Sequence, residues 1–207
     1  MMPRRRAGCA LLASTLLAGC ISIGAGDSAA PTVYVLGDAG AGSVPKQAPA
    51  APVLLLTMQS GDPAADGTRI AYARRPGERA TYELARWSER PERRLVTLVQ
   101  QRLEARGAFA AVVPLGQLAG DWMLALSIQE IVHDVSVTPT VARLTLRAEL
   151  IDRRNRTLVA RKTESVAVPA ERNDPAAAVA AFDRAVGQAL DALAPWVEDE
   201  VRRAAAR

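Results

Sequence analysis

The first twenty residues constrain this chain more than any other stretch. Three arginines at positions 4–6 precede a mainly apolar run from Ala10 to Ala18, and small residues end the run before Cys20. A positive segment, a short apolar core and small residues at a cleavage point are typical of a secretory signal peptide. The core is shorter than the ~20 apolar residues that span a bilayer. We therefore predict that residues 1–19 are a signal peptide.

Cys20 itself sharpens this prediction. The segment Leu-Ala-Gly-Cys that ends at Cys20 resembles the bacterial lipoprotein box, in which the thiol receives a diacylglycerol and cleavage leaves an acylated first residue. An ordinary cysteine after an ordinary signal peptide is the alternative. Several acyl chains such as palmitate give lasting attachment, because each buried methylene contributes ~0.8 kcal/mol and one chain holds only reversibly. Ile21 stands where an Asp would resemble an inner-membrane retention signal, so we predict the periplasmic face of the outer membrane.

Composition limits what the mature chain can do. The whole chain has 26 Lys and Arg against 22 Asp and Glu, but three of these arginines lie in the signal peptide. The mature chain is therefore nearly neutral, which argues against nucleic acid as a partner. Cys9 leaves with the signal peptide and Cys20 is acylated, so we expect neither a disulfide nor a thiolate metal site. The domain must be stable on its apolar core alone.

After cleavage the chain divides into a lipidated cysteine with a flexible tether, residues 20–31, and a single domain, residues 32–203. The tether is rich in Gly, Ala and Ser, and it spans at most about 35 Å when extended. Short β-branched, continuous apolar or alternating runs predict the strands of the domain. They lie at 32–36, 53–58, a hairpin over 68–87, 109–113, from about 121, 142–150 and 158–168.

Two helices complete the predicted domain. The first runs from Pro91 to Arg106, and the second begins after an N-cap at Asp174. Pro195 should kink or interrupt the second helix. The apolar phase becomes ambiguous at 130–132, which indicates a β-bulge. We predict an α+β fold in which two main helices pack against a mostly antiparallel sheet.

The sequence contains little that resembles an active site. It has no nucleophile elbow, no phosphate-binding P-loop and no dinucleotide fingerprint. His133 is the only histidine, and its neighbour Asp134 should point to the opposite face of the strand. Glu130 and Asp134 have no visible partner that would raise the pKa of either carboxyl, so we interpret them as solvated. We predict no catalytic residue, no metal site and no cofactor, and hence no enzyme.

An arginine-rich segment is the one candidate binding feature. Between residues 69 and 94, eight arginines face four glutamates. A solvated surface crossed by ion pairs is one interpretation. A docking surface for an acidic protein or for phosphate headgroups is the other, since arginine binds both bidentately. Its candidate residues are Arg86, Arg90 and Arg93 with Trp87, because Trp and Arg are enriched at hot spots; alternatively, Trp87 closes the hairpin from the core.

A set of short motifs follows in a distinctive order along the chain. After the lipoprotein box come Tyr34-Val35-Leu36, Arg69-Ile70-Ala71-Tyr72, Tyr82, Arg86-Trp87 and the passage Leu103–Phe109 with Val112-Val113. Together they resemble the ABC-type transport auxiliary lipoproteins, the group that includes the lipoprotein of the paraquat-inducible operon. The family-motif positions are Tyr34, Leu36, Tyr72 and Tyr82. One departure is the isolated Tyr34, where related proteins often carry a second aromatic residue.

The resemblance implies a non-enzymatic part of an intermembrane lipid transport system. In such systems an inner-membrane ABC transporter or permease works with a periplasmic MCE protein, and the lipoprotein sits at the outer-membrane end. It also implies contacts with phospholipid, room for a homo-oligomeric ring, and a fold similar to the TolB N-terminal domain. The alternative function is a structural or assembly lipoprotein of the outer membrane without a transporter partner. A lipid carrier with its own cavity is a third.

Overall fold

The computed structural model of the chain describes residues 29–40 and 51–206. The predicted signal peptide, Cys20 and most of the tether lie outside these residues, as do residues 41–50 of the predicted domain. The described residues form eight strands and two helices. In chain order they are β1 (Thr32–Tyr34), β2 (Ala51–Met58), β3 (Arg69–Ala73), β4 (Ala80–Trp87), α1 (Pro91–Arg106), β5 (Phe109–Pro114), β6 (Trp122–Asp134), β7 (Val141–Asp152), β8 (Thr157–Pro169) and α2 (Pro175–Ala205).

The long strand β6 lies at the centre of one mixed sheet. Along one edge, its first residues pair in parallel with β2 and its last residues pair in parallel with β3. Its other edge pairs antiparallel with β7 along nearly the whole strand. Farther from β6, β5 pairs with β2 and β8 pairs with β7. On the β3 side, β4 pairs with β3, and β1 pairs with β4. The strand β8 therefore forms an edge of the sheet, as its polar pattern predicts.

The prediction of a mostly antiparallel sheet is wrong. Four strand pairs are parallel, namely β1–β4, β2–β5, β2–β6 and β3–β6, and three are antiparallel. The physical reason is that β2 does not pair with β3, its successor in the chain, but with the distant strands β5 and β6. Apolar runs locate strands but do not say which strands share hydrogen bonds. The similarity to the TolB N-terminal domain stays a prediction.

The two predicted helices begin where their capping residues indicate. Gly107 ends α1 with φ 70°, in the left-handed region that favours glycine. At the start of α2, the Asp174 carboxylate accepts a hydrogen bond from the backbone N–H of Ala177 at 2.8 Å. Pro195 does not interrupt α2, contrary to one of the predicted outcomes. It removes one backbone hydrogen bond, but Val197 and Val201 beyond it are fully buried and keep the helix on the core.

Both helices contact the same layer of strands and enclose the main core with it. The helix α2 packs on β7 and β8, while α1 packs on β2, β5 and α2. On β7 the predicted alternation is confirmed: Ala142, Leu144, Leu146, Ala148 and Leu150 are buried, and the residues between them are partly exposed. The β6–β7 register shifts between Ile128 and Glu130, which places the irregularity one step before the predicted bulge.

A short segment after β1 is held on the helices, and we call residues 36–40 the strap. The carboxylate of Asp183 accepts a hydrogen bond from the Gly37 N–H at 2.6 Å. The guanidinium of Arg102, only 5% exposed, donates to both carboxylate oxygens of Asp38 at 2.6 and 2.8 Å. Because a buried charge is costly without a partner, these bonds fix the strap across α1 and α2.

The crossing of the strap and α2 leaves no room for a methyl group. A Cβ added to Gly187 would lie 2.5 Å from the backbone nitrogen of Gly40. We expect Gly187→Ala to lower the free energy of unfolding by about 1–3 kcal/mol, because backbone must move, although alanine by itself favours a helix by ~1 kcal/mol. Urea denaturation measures the change, with the exposed neighbour Gln188→Ala as the control. Equal stability of the two variants would contradict the tight crossing.

Candidate docking surface

The strands β1, β3 and β4 form one end of the sheet, which we call the hairpin end. The β3–β4 turn has a hydrogen bond from the Glu78 N–H to the Arg75 carbonyl at 3.1 Å, and Gly77 adopts φ 77°. This confirms the turn that the Pro-Gly dipeptide predicts. The hairpin end carries most of the arginine-rich segment, and the N-terminus of α1 beside it carries the rest.

Trp87 lies in the core of the hairpin end rather than on its surface. Its side chain is 3% exposed, and its ring meets the ring of Phe182 edge-on at a centroid distance of 5.8 Å. Ala85 is also buried, whereas Arg86 between them is exposed. The alternation turns Trp87 inward and Arg86 outward. Trp87 therefore closes the hairpin from within, and we remove it from the candidate docking residues.

The family-motif residues hold the hairpin end together. Leu36 is buried in the main core and Tyr34 packs against it. The rings of Tyr72 and Tyr82 lie 4.7 Å apart, and the Tyr82 hydroxyl lies 2.8 Å from Nδ1 of His133. Burial raises the pKa of Tyr82 to about 12, so its hydroxyl stays protonated and can donate. These four positions serve packing in this structure.

His133 is engaged on both ring nitrogens. Besides Nδ1 near Tyr82, its Nε2 lies 3.0 Å from the Thr140 hydroxyl. The side chain is fully buried, and burial lowers the pKa of His133 below its usual value, which favours the neutral imidazole. Asp134 turns away and binds Arg143 at 2.9 Å, so the predicted divergence of His133 and Asp134 is confirmed.

Arg90 and Arg93 lie beside the hairpin end, at the start of α1, and both belong to ion pairs. Arg90 is 3.0 Å from Asp66, and Arg93 is 3.6 Å from Glu89. With Glu92 they line a groove of mixed charge. Burial raises the pKa of Glu92, with the nearby Asp66 as a smaller cause. Arg90 and Arg93 thus form a surface on which positive and negative side chains alternate.

Arg86 belongs to a different arrangement. It stands directly opposite Arg69 in the β3–β4 register, and both side chains are exposed. Neither forms a salt bridge with any residue that the structure describes. Both line an open groove of about 580 Å³ together with Thr68, Thr81 and Glu83. Like charges directly opposite on neighbouring strands repel, so this arginine pair leaves positive charge uncompensated.

The structure therefore divides the predicted docking residues into an interior residue and two adjoining surfaces, whose grooves share Thr68. Sequence reasoning placed Arg69 in the arginine-rich segment but did not pair it with Arg86, because strand register is not visible in a single sequence. It also missed the buried pairs of Arg102 with Asp38 and of Arg106 with Glu198. A signal existed for Arg102, which lies four residues after Leu98 on the apolar stripe of α1.

Residues 29–40 and 51–206 contain neither a cluster of metal-binding side chains nor a helix fit to span a membrane. No group of three or more histidine, cysteine, aspartate or glutamate side chains is arranged there to hold a metal ion. Neither helix combines the length and the apolar character that crossing a bilayer requires.

The repulsion between Arg69 and Arg86 predicts a stabilising substitution. We expect Arg69→Gln to raise the free energy of unfolding by roughly 0.2–1 kcal/mol at low ionic strength, since it removes a like-charge pair. The gain should shrink in ~1 M salt, where the Debye length is ~3 Å. Urea denaturation at the two salt concentrations measures it, with Arg156→Gln at the β7–β8 turn as the control. A variant no more stable than wild type at low salt would contradict the repulsion.

Comparison with known proteins agrees with the architecture. No protein with a curated description matches the sequence. The crystal structure of protein XCC0632 from Xanthomonas campestris has a TM-score of 0.74 and 25% identity, over 85% of this chain and 100% of that one. A crystal structure titled as an uncharacterized protein shares the fold, with a TM-score of 0.63 and 11% identity over 81% and 99% of the two chains. A family model described as the ABC-type transport auxiliary lipoprotein component matches residues 34–194, and the chain belongs to this family.

Proposed function

We propose that the protein is a non-catalytic auxiliary component of an ABC/MCE-type intermembrane lipid transport system. The observation that carries the proposal is the family match over residues 34–194. The matched residues include strands β2 to β8, helix α1 and most of helix α2. The family description associates the chain with an ABC transport system and with a lipoprotein. The MCE protein as partner and phospholipid as cargo are our proposal, which rests on the resemblance described above.

We also propose that acylated Cys20 holds the domain on the periplasmic face of the outer membrane. The lipoprotein box and the Ile21 that follows it support this location. The domain begins at β1, only a short tether beyond Cys20. A tether of at most about 35 Å keeps the domain near the membrane and lets it reorient toward a partner. An auxiliary component needs this placement rather than a reaction.

The surface at the start of α1 is the docking site that we propose for an acidic protein partner. The side chains of Arg90 and Arg93 are 64% and 84% exposed. Their ion pairs with Asp66 and Glu89 lie in water, where such pairs contribute only about 0–1 kcal/mol. Carboxylates of a partner can therefore compete with Asp66 and Glu89 for the two guanidiniums, each of which has five N–H donors.

Crosslinking in intact envelopes tests the proposed function. We expect the wild-type chain to co-purify with an MCE protein or a transporter subunit. Arg90→Glu with Arg93→Glu should reduce the recovered partner by about tenfold or more, because opposed like charges across an interface cost several kcal/mol.

The matched control is Arg153→Glu with Arg156→Glu, which makes the same charge change at the β7–β8 turn, beside the first residues of β6. The control should recover as much partner as wild type. If wild type recovers no MCE protein and no transporter subunit, the transport role fails and the assembly-lipoprotein alternative is favoured. If the Arg90 and Arg93 variant recovers partner normally, the docking surface is wrong although the role stands.

A further inference from the structure

The hairpin end exposes large apolar side chains that do not belong to the core. Val33, Val35 and Leu84 are 55–56% exposed, the highest values among the large apolar residues that the structure describes. Val33 and Val35 alternate with the inward residues Tyr34 and Leu36, and Leu84 precedes the buried Ala85. The three apolar side chains therefore point away from the helices.

The arginine pair lies on the same face and in the same row. In the sheet, Val33 of β1 is the register partner of Arg86, which is in turn the register partner of Arg69. Neighbouring strands are ~4.8 Å apart, so this row of one valine and two arginines spans about 10 Å. Apolar side chains beside uncompensated arginines form an amphiphilic surface, and its positive charge favours the binding of an anion.

Phosphate fits this surface by charge and by hydrogen bonding. A guanidinium binds phosphate oxygens bidentately, and an anion between Arg69 and Arg86 would relieve their repulsion. Thr68 and Thr81 also line the groove, and a threonine hydroxyl can add a neutral donor. Glu83 is the one carboxylate among the residues that line the groove, so positive charge still prevails there.

The path of the chain indicates which source of phosphate lies close to this groove. Pro31, the last tether residue, lines the same groove as Arg69 and Arg86. Cys20 lies eleven positions before Pro31, which limits the distance from groove to anchor to about 36–40 Å. We propose that the exposed side chains on the face of the hairpin end opposite the helices contact the bilayer, with Arg69 and Arg86 on the phosphate of an anionic phospholipid headgroup and Val33, Val35 and Leu84 in the interfacial layer. This proposal depends on the proposed function in one respect only, namely that the lipid anchor is at Cys20.

Vesicle binding by the chain that begins at position 20 and carries Cys20→Ser tests the site without acyl chains and without the signal peptide. We expect this chain to co-sediment with vesicles of phosphatidylethanolamine and phosphatidylglycerol, and less with phosphatidylcholine alone. Arg69→Gln with Arg86→Gln should weaken binding to the anionic vesicles by about tenfold or more, since each arginine near such a surface contributes roughly a fivefold change. Val33→Ser with Leu84→Ser should weaken it as well, and this loss should depend less on salt.

The matched control is Arg153→Gln with Arg156→Gln at the β7–β8 turn, which should bind vesicles like the parent chain. Far-ultraviolet circular dichroism verifies that each variant is folded. Equal loss in the control and in the Arg69 and Arg86 variant would overturn the site, because binding would then follow net charge.

Two further arms separate the sources of the anion. If the chain binds inorganic phosphate through these arginines but does not bind vesicles, the proposed membrane contact is wrong and the ligand is a free phosphate. Stronger arginine-dependent binding of polyglutamate than of anionic vesicles would overturn it in favour of an acidic protein. None of these measurements involves a transporter, so loss of the membrane surface and loss of the transport role are distinguishable.

Discussion

Backbone hydrogen bonding along β6 is the constraint on which the rest of the structure depends. This strand of 13 residues shares one edge between β2 and β3 and gives the other to β7. Each strand that pairs with it satisfies backbone groups that would otherwise be buried without partners. Met123 of β6 pairs with β2, and His133 of β6 pairs with β3. These two residues are ten positions apart, which separates them by about 33 Å along the strand. The hairpin end is therefore held far from the β7–β8 turn.

Local chemistry in the sequence predicted the elements well, whereas their partners required the structure. Pro91, Gly107 and Asp174 mark helix ends because capping involves neighbours within four residues. The strand β7 was predicted from its alternation because one of its faces meets the helices. Strand pairing depends on residues far apart in the chain, so the parallel pairs and the Arg69–Arg86 register could not be predicted. Pro195 misled for the same reason, since the burial of α2 beyond it depends on the sheet.

Arginine has two opposite roles in this domain. Arg102 is buried, and Asp38 and Asp191 compensate its charge, so it holds the strap on the helices. Arg69 and Arg86 are exposed, and no described carboxylate compensates them. A fold can tolerate uncompensated charge at its surface but not in its core. An external anion between the two surface arginines would therefore stabilise the domain, and the pair lies beside Pro31 of the tether.

We propose that the protein acts by being held at a membrane through Cys20. The most direct measurement follows labelled palmitate and the cellular location of two chains, wild type and Cys20→Ser, with a test of envelope integrity for each. The account predicts that wild type is labelled, remains with the outer membrane and supports the envelope, whereas Cys20→Ser is unlabelled, is released into the periplasm and fails. An unlabelled and released Cys20→Ser chain that supports the envelope as well as wild type would contradict the account.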